Sequence, residues 1–189
     1  MRKEIKKNAA LELNPNVSVD CVIFGFDFDK LNVLVINRHG ADGVQWALPG
    51  NLIYDDEHLD QAADRVLEEL TGLQHIYLEQ IGAFGDPNRI SKESDRSWLQ
   101  SIRAQPEARV ITVAYFSLVK MEDYQPQPSS FAKSAEWIPV NEIKELAFDH
   151  FDILQSAKSR LKQMIKIRPI GFNLLPEKFT LSQLHKLYA

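Results

Sequence analysis

The chain has 189 residues, of which 44% are apolar and 25% charged, so it can form one globular domain with an appendage and is excluded from the disordered class. Its net charge of −4 argues against indiscriminate nucleic-acid binding by the whole chain but leaves local basic patches open. With one cysteine, Cys21, an internal disulfide framework is excluded. No apolar run approaches the roughly 18 residues that cross a bilayer, so we expect a cytoplasmic protein without a membrane partner.

The first half of the chain alternates strand-like and turn-like segments. Residues 17–26 and 31–37 are β-branched and aromatic and are separated by turn formers, which predicts a β-hairpin. The polar, glycine-bearing residues 38–44 predict a loop. Apolar residues at helical spacing then predict an amphipathic helix over residues 59–73.

The second half begins with predicted strands over residues 76–84 and 109–120. The connection between them is long for a compact domain, and such connections are usually functional or disordered. After a surface loop we predict a short strand over residues 136–140 and a brief helix capped by Asn141. A longer helix is predicted to begin at Asp149 or Asp152 and to run through Ile165.

The segment from Trp46 to Leu73 resembles the Nudix (MutT-like) box. That motif is a Gly, five residues, Glu, seven residues and then Arg-Glu-apolar-x-Glu-Glu-x-Gly-apolar, usually preceded by Leu-Pro-Gly. Aligned without a gap, it matches Glu57, Arg65, Leu67, Glu69, Gly72 and Leu73. Its opening Gly falls on Asn51, and two of its Glu positions fall on Val66 and Leu70.

Those two changes bear on catalysis. Pyrophosphate hydrolysis by such a box needs divalent cations, which take several carboxylate oxygens. Positions 66, 69 and 70 share one helix face, so replacing two of three carboxylates with Val66 and Leu70 predicts a packing face instead of a metal site. We expect Glu69 to pair with Arg65, Glu68 to face solvent, and no cofactor to be required.

An active enzyme is the alternative. In that interpretation Glu57, Glu68 and Glu69 hold Mg²⁺ in a rearranged site and Arg65 orients a carboxylate. The substrate would be a nucleoside diphosphate linked to another moiety, such as ADP-ribose. If any residues bind a metal, Glu68 and Glu69 are the candidates.

Residues 170–189 carry a second resemblance. Thr180 and Gln183 form a capping-box pattern, and leucines recur at helical spacing after it. With the run 109–115 and the sequence Ala-Phe-Asp-His at 147–150, this tail is similar to the Nudix-related transcriptional regulators. In that family a Nudix-fold sensor precedes a winged helix that binds operator DNA. Its members include ADP-ribose sensors and, in Bacteroidetes, arabinose-responsive regulators, which this chain resembles more closely.

The resemblance implies an α/β fold, a Nudix-type α/β/α sandwich with a mixed sheet. Residues 1–168 would form the effector-sensing domain, and residues 169–189 a linker and the first helix of an incomplete winged-helix unit. The implied function is catalytically degenerate sensing of a sugar or nucleotide-sugar effector by a homodimer. Operator DNA would be a partner only where the winged helix is complete.

The resemblance also implies a set of ligand-binding positions that surround the cleft of the fold. They are Arg38, Trp46, Asn51, Glu57, Arg65, Glu69, Asp86, Arg109 and His150. For His150 a structural hydrogen bond at a helix start is the alternative to effector contact. The remaining histidines show no metal-ligand spacing.

An insertion of roughly residues 90–108 stands where the resembling family has a short link. Arginine binds phosphate and tryptophan stacks on ring faces, so Arg89, Arg96, Trp98 and Arg103 can close over an anionic or sugar ligand. A disordered surface loop is the alternative. Likewise, the basic residues between Lys158 and Arg168 form either a solvated helix end or a phosphate-binding patch.

Overall fold

Strand β1 lies at the centre of the chain's single described sheet. A computed structural model describes residues 12–40, 43–128 and 130–167. Its strands are β1 (Leu13–Phe26), β2 (Leu31–Gly40), β3 (Gly43–Ala47), β4 (Gly50–Tyr54), β5 (Glu79–Phe84), β6 (Ile111–Lys120) and β7 (Ser134–Pro139). Its α-helices are α1 (Leu59–Thr71), α2 (Glu93–Ile102) and α3 (His150–Ile167).

The sheet is mixed because β1 has both parallel and antiparallel neighbours. It pairs in parallel with β6, from Val17 opposite Ile111 to Phe26 opposite Lys120. On its other edge it pairs antiparallel with β4 and, at its end, with β2. The strand order is β3-β2-β1-β6-β5, with β4 added to β1 and β7 added to β2.

Alternating residues of the central strands face two different helices. Val19, Cys21 and Ile23 lie in one buried cluster with α1, whereas Val22 and Phe24 lie in a second cluster with α3. This alternation follows from the two-residue period of a strand. A sheet with a helix on each face is a three-layer α/β/α sandwich, which confirms the predicted fold class.

Helix α1 ends where the sequence requires it to end. Gly72 adopts a left-handed conformation, with φ 74°, and its N–H donates to the carbonyl of Glu68. A side chain at Gly72 would also meet the carbonyl oxygen of Gln127 at 2.7 Å. The glycine of the box is therefore a helix cap that another residue would strain.

The predicted hairpin is confirmed, but the predicted loop over residues 38–44 is wrong. Strand β2 continues to Gly40 and pairs with β3, with Arg38 opposite Gln45. Arg38 and Gln45 both line a groove, which accounts for these two polar residues in the strands. Residues 41–42 lie outside the described residues.

Three further expectations change. The insertion contains helix α2, whose Asp95 and Leu99 are buried, so the disordered-loop alternative is wrong. The prediction of a brief helix at Asn141 is wrong, because residues 140–142 form a turn. The strand expected over residues 76–84 begins only at Glu79, whereas the helix expected near Asp149 is confirmed as α3. The tail from residue 168 onward lies outside the described residues.

Candidate functional site

The face of α1 that would carry metal ligands is packed. Val66 and Leu70 are both 0% exposed and lie in the cluster that fills the space between α1 and the sheet. The predicted packing is confirmed. Within the described ranges no group of three or more His, Cys, Asp or Glu side chains is placed to hold a metal ion.

The surviving box residues form an ion-pair cluster around Arg65. Its Nε and Nη2 donate to the two carboxylate oxygens of Glu57 at 2.7 and 2.8 Å, and Nη1 donates to Glu69 Oε2 at 3.1 Å. Nη2 also donates to the carbonyl of Leu52 at 3.1 Å, and the guanidinium lies over the ring of Tyr54. Bidentate pairing of this kind fixes orientation as well as charge.

Glu57 is held ionised by this arrangement. Burial opposes its ionisation, but hydrogen bonds from Arg65 and from the Tyr54 N–H outweigh burial and lower the pKa of Glu57. The cluster joins β4 to the start and middle of α1. With Val66 and Leu70 packed and Glu57 engaged by Arg65, these residues do not fit the Mg²⁺ site that the Nudix box supplies in hydrolases.

A small cavity, about 40 Å³ in volume, is lined in part by Gly50 and Asn51 of β4. Three of the predicted ligand-binding residues line it: Arg38, Asn51 and His150. The insertion contributes Ile90, Trp98, Ile102 and Arg103, and the rest of the domain contributes Ser18, Asp20, Ile36, Ala47, Leu48, Gly50, Arg89, Val110, Phe131 and Phe148.

Asp20 organises one wall of this inner cavity. The Leu48 N–H donates to His150 Nδ1 at 2.9 Å, so the other ring nitrogen, Nε2, carries the proton and faces Asp20 Oδ1 at 3.3 Å. Arg89 lies 3.5 Å from the other oxygen of Asp20 and pairs with both oxygens of Asp149 at 2.8 and 3.0 Å.

The buried carboxyl of Asp20 is ionised. Burial raises its pKa, but the opposing effects of His150 and Arg89 are larger, and the pKa falls well below its usual range. His150 thus makes the structural hydrogen bond expected at a helix start and also lines the cavity.

Arg38 forms the opposite wall. It is 1% exposed, pairs with Asp95 of α2, and its guanidinium carbon lies 4.8 Å from the ring centre of Trp98 and 4.4 Å from that of Phe148. The N–H of Phe148 donates to Asp95 as well, at 2.9 Å. Helix α2 is therefore attached to the domain through one buried carboxylate and an aromatic stack around Arg38.

The other predicted ligand-binding residues lie apart from this cavity. Trp46 lines a separate groove beside Lys92 and residues 142–147. Asp86 and Arg109 line a third depression, where Arg109 donates to the Gly85 carbonyl. Glu57, Arg65 and Glu69 form the cluster on α1, and Glu68 is exposed.

Sequence reasoning missed Asp20, although a signal for it existed. It is the one charged residue in the run 17–26, and a charge in a buried strand requires partners. It also missed why the Leu-Pro-Gly glycine is needed. A Cβ at Gly50 would lie 1.8 Å from Asp20 Oδ1, so the carboxylate occupies the space of the absent side chain.

Comparison with known proteins places this geometry in a family. Residues 14–157 match the NUDIX domain. The chain belongs to that family. It is 33% identical over 180 residues to the ADPR responsive transcriptional repressor NtrR of Acinetobacter baylyi, covering 93% of this chain and 66% of the repressor. It therefore spans slightly less than two thirds of that relative's length.

Two further NUDIX relatives are informative. An ADP-ribose pyrophosphatase of Methanocaldococcus jannaschii is 25% identical over 155 residues, which cover 82% of this chain and 80% of the enzyme. The NUDIX domain of Shewanella oneidensis NrtR, solved with ADP ribose, has 27% identity and a TM-score of 0.61, covering 84% of this chain and 94% of that domain. The resemblance to Nudix-related regulators is confirmed. No α-helix in the described part of the chain is long and apolar enough to span a membrane.

Proposed function

We propose that this chain is the effector-sensing part of a transcriptional regulator and that it binds a sugar or nucleotide-sugar without hydrolysing it. The observation that carries the proposal is the 0% exposure of Val66 and Leu70 on the helix face where a Nudix hydrolase needs carboxylates. A metal-dependent reaction loses its electrostatic support when those oxygens are absent. The relative named as an ADPR responsive repressor supports the regulatory role.

The polar inner cavity supports ligand binding by the same chain. Asp20, Asn51 and His150 offer hydrogen-bonding groups to hydroxyls, and Arg89 and Arg103 offer charge to an anionic group. Buried polar groups of this kind fix the orientation of a ligand in an otherwise apolar pocket. We further propose that residues 1–168 are the sensing domain, that residues 169–189 begin a winged-helix unit, and that the regulator is a homodimer.

Hydrolysis assays test the catalytic half of the proposal. The chain should release no product from ADP-ribose, NADH or nucleoside triphosphates at enzyme-like rates with Mg²⁺ or Mn²⁺. Turnover comparable to a competent Nudix enzyme, lost on changing Glu69→Gln, would falsify the sensing interpretation. That result would establish the alternative, an active hydrolase, for which the similarity to an ADP-ribose pyrophosphatase is the supporting observation.

Thermal denaturation tests the sensing half. A ligand that binds the native state stabilises it by about 2.7 kcal/mol at a hundredfold excess over its Kd. The panel is ADP-ribose, ribose 5-phosphate, L-arabinose and ribose. At least one member should raise the melting temperature, and failure of all four removes the support for an effector of this class.

A further inference from the structure

Arg103 is placed where two spaces meet. It is the residue at which α2 ends, and it lines both the inner cavity and a larger outer groove of about 520 Å³. Asn51, Ile102 and Phe131 also line both spaces, so the two are adjacent. The inner cavity alone is far smaller than the roughly 300–1,000 Å³ of ordinary ligand sites, whereas the groove is within that range.

Arg103 differs from the other arginines of the inner cavity in its partners. Arg38 pairs with Asp95, and Arg89 pairs with Asp149 and Asp20. Among the described residues no carboxylate lies within ion-pair distance of Arg103, and its side chain makes no hydrogen bond there.

The guanidinium of Arg103 is nevertheless partly withdrawn from water. Burial lowers the pKa of Arg103 to about 10, the charge of Asp20 opposes that change, and the charge of Arg89 adds to it. At neutral pH the group remains protonated. A cation held in such a place without a contacting anion is destabilising, and an anionic ligand would relieve that cost.

The outer groove has the opposite chemistry. Leu13 and Ile102 are each 42% exposed there, and Leu52, Pro15 and Phe131 complete an apolar surface. Large apolar side chains left exposed next to a pocket mark contact sites for a ring or another apolar group.

We propose that Arg103 binds the phosphate groups of a ligand whose ring moiety lies in the outer groove. The ligand class is then a phosphorylated compound that carries a ring, and a free pentose is excluded as the preferred ligand. This assignment deepens the proposed function, since it names the chemistry of the effector, and it makes residue 103 of the insertion the residue that selects for charge.

The first measurement uses inorganic pyrophosphate alone. Calorimetric titration compares the wild-type chain with Arg103→Gln and with Lys30→Gln, a control that also removes one positive charge, at an exposed side chain that pairs with Glu142. Loss of a charged hydrogen bond of about 1.5 kcal/mol or more corresponds to roughly tenfold in affinity. We expect Arg103→Gln to weaken pyrophosphate binding at least tenfold and Lys30→Gln to change it less than twofold.

Stability separates a binding role from a structural one. Because Arg103 contacts no carboxylate of the described residues, Arg103→Gln should leave the melting temperature of the free protein unchanged or raised, and Arg103→Lys should recover part of the affinity. A substantial drop in melting temperature with Gln would show a structural role and overturn the proposal.

The second measurement adds ADP-ribose and L-arabinose. Leu13→Ser should weaken ADP-ribose binding and leave pyrophosphate binding unchanged, since Leu13 lines the outer groove and not the inner cavity. Equal pyrophosphate affinity for wild type and Arg103→Gln, or no pyrophosphate binding at all, overturns the proposal. So does tight arabinose binding without ADP-ribose binding, although that result leaves the regulator proposal intact. Pyrophosphate binding that depends on Arg103, together with a longer form that carries a complete winged helix and binds no operator, would overturn the regulator proposal alone.

Discussion

Asp20 shows what a charged residue requires in the middle of a sheet. Moving a carboxylate out of water costs several kcal/mol unless hydrogen bonds and opposite charges replace its hydration. Here His150 and Arg89 supply those contacts, and Gly50 leaves room for the oxygen nearest to it. The residue is thus compensated by groups from three distant parts of the chain.

Gly50→Ala should disturb this compensation. The new Cβ would lie 1.8 Å from Asp20 Oδ1 and 3.0 Å from the Val19 carbonyl oxygen, so the carboxylate must move away from His150. We expect a loss of about 1–3 kcal/mol in the free energy of unfolding, as for overpacking in a core. Urea denaturation measures it.

Gly85→Ala is the matched control for that substitution. Among the nearest atoms its Cβ would meet only the half-exposed Ile111 side chain, at 3.3 Å from Cγ1. An equal loss in both variants would contradict the role assigned to the contact between Gly50 and Asp20.

The lowered pKa of Asp20 predicts a dependence of stability on pH. A carboxyl ionises with a pKa of about 3.9 in the unfolded chain, so above roughly pH 4 its native interactions contribute fully. As pH falls below that value the unfolded state binds the proton first, and the contribution is lost towards the lower pKa of the folded state.

Asp20→Asn should remove this acid-dependent component. We expect the difference in free energy of unfolding between wild type and variant to be largest at pH 7 and to shrink between about pH 4 and pH 2. Denaturation series at fixed pH values give the difference. A difference that stays constant over that range would show that Asp20 is not ionised in the native state.

At the scale of elements, the face of α1 that carries metal ligands in a Nudix box is buried here, and residues of α2 line the inner cavity. Periodicity alone predicted that Val66 and Leu70 pack, because both fall on the apolar stripe of α1. The sequence did not predict that α2 is a helix. It predicted only that residues in and near this segment can close over a ligand. Its apolar residues, Trp98, Leu99 and Ile102, are too few to give a helical period.

Other parts of the site could not be predicted from local sequence for a physical reason. Arg38 lies in a strand, yet its polar and glycine neighbours are typical of a loop, and its buried pairing with Asp95 of α2 is not visible in the local sequence. Asp20 and Arg89 are 69 residues apart, and no periodic pattern relates them. The hairpin, α1 and α3 were predicted because their patterns are local.

Val66→Glu combined with Leu70→Glu tests the packed face of α1. Two charges placed at positions with 0% exposure should destabilise by several kcal/mol, since neither has a partner. Metal-dependent hydrolysis should not appear. Thermal melts and an ADP-ribose hydrolysis assay check both points.

The control adds the same charges at exposed positions, Gln61→Glu and Tyr77→Glu, and should change stability by less than about 1 kcal/mol. If the buried pair of substitutions keeps the wild-type melting temperature and gains turnover, the two side chains face an open cleft and the packing argument fails.

Asp95→Asn tests the attachment of α2. It removes the charge that pairs with Arg38, and truncating one partner of a buried pair typically costs roughly 3–5 kcal/mol. Glu93→Gln on the same helix, where the carboxylate is exposed and pairs with Arg96, should cost less than about 1 kcal/mol. Hydrogen exchange of the α2 amides should rise in the first variant alone; unchanged exchange would show that α2 is held by its apolar contacts.

At the scale of the whole molecule, a net charge of −4 limits contact with DNA. Affinity for the phosphate backbone comes from clustered Lys and Arg, and one arginine of α3, Arg160, is engaged with Glu79 at 3.0 Å. The 189-residue chain should therefore bind DNA weakly and without sequence preference.

A longer form with a complete winged helix should bind a palindromic operator as a dimer, and effector should change that affinity. Mobility-shift titrations of both forms on the promoter region of neighbouring genes test this. Tight operator binding by the 189-residue chain, or no preference of the longer form for operator over random DNA, would contradict the proposal. In that proposal residues 1–168 sense the effector and a complete winged helix binds DNA.

Because β1 pairs in parallel with β6, its sheet edge stays uncovered until β6 has been synthesised. The ribosome synthesises residues 17–26 about 90 residues before β6, the strand that pairs with them. At roughly 5–20 residues per second, the delay between the two strands is several seconds. During that interval the nascent chain exposes a β-prone apolar segment of the kind that self-associates. Its one charge is the carboxylate of Asp20, at the middle of the segment. A carboxylate that needs His150 and Arg89 as partners in the finished core is, in the growing chain, the charge that opposes aggregation.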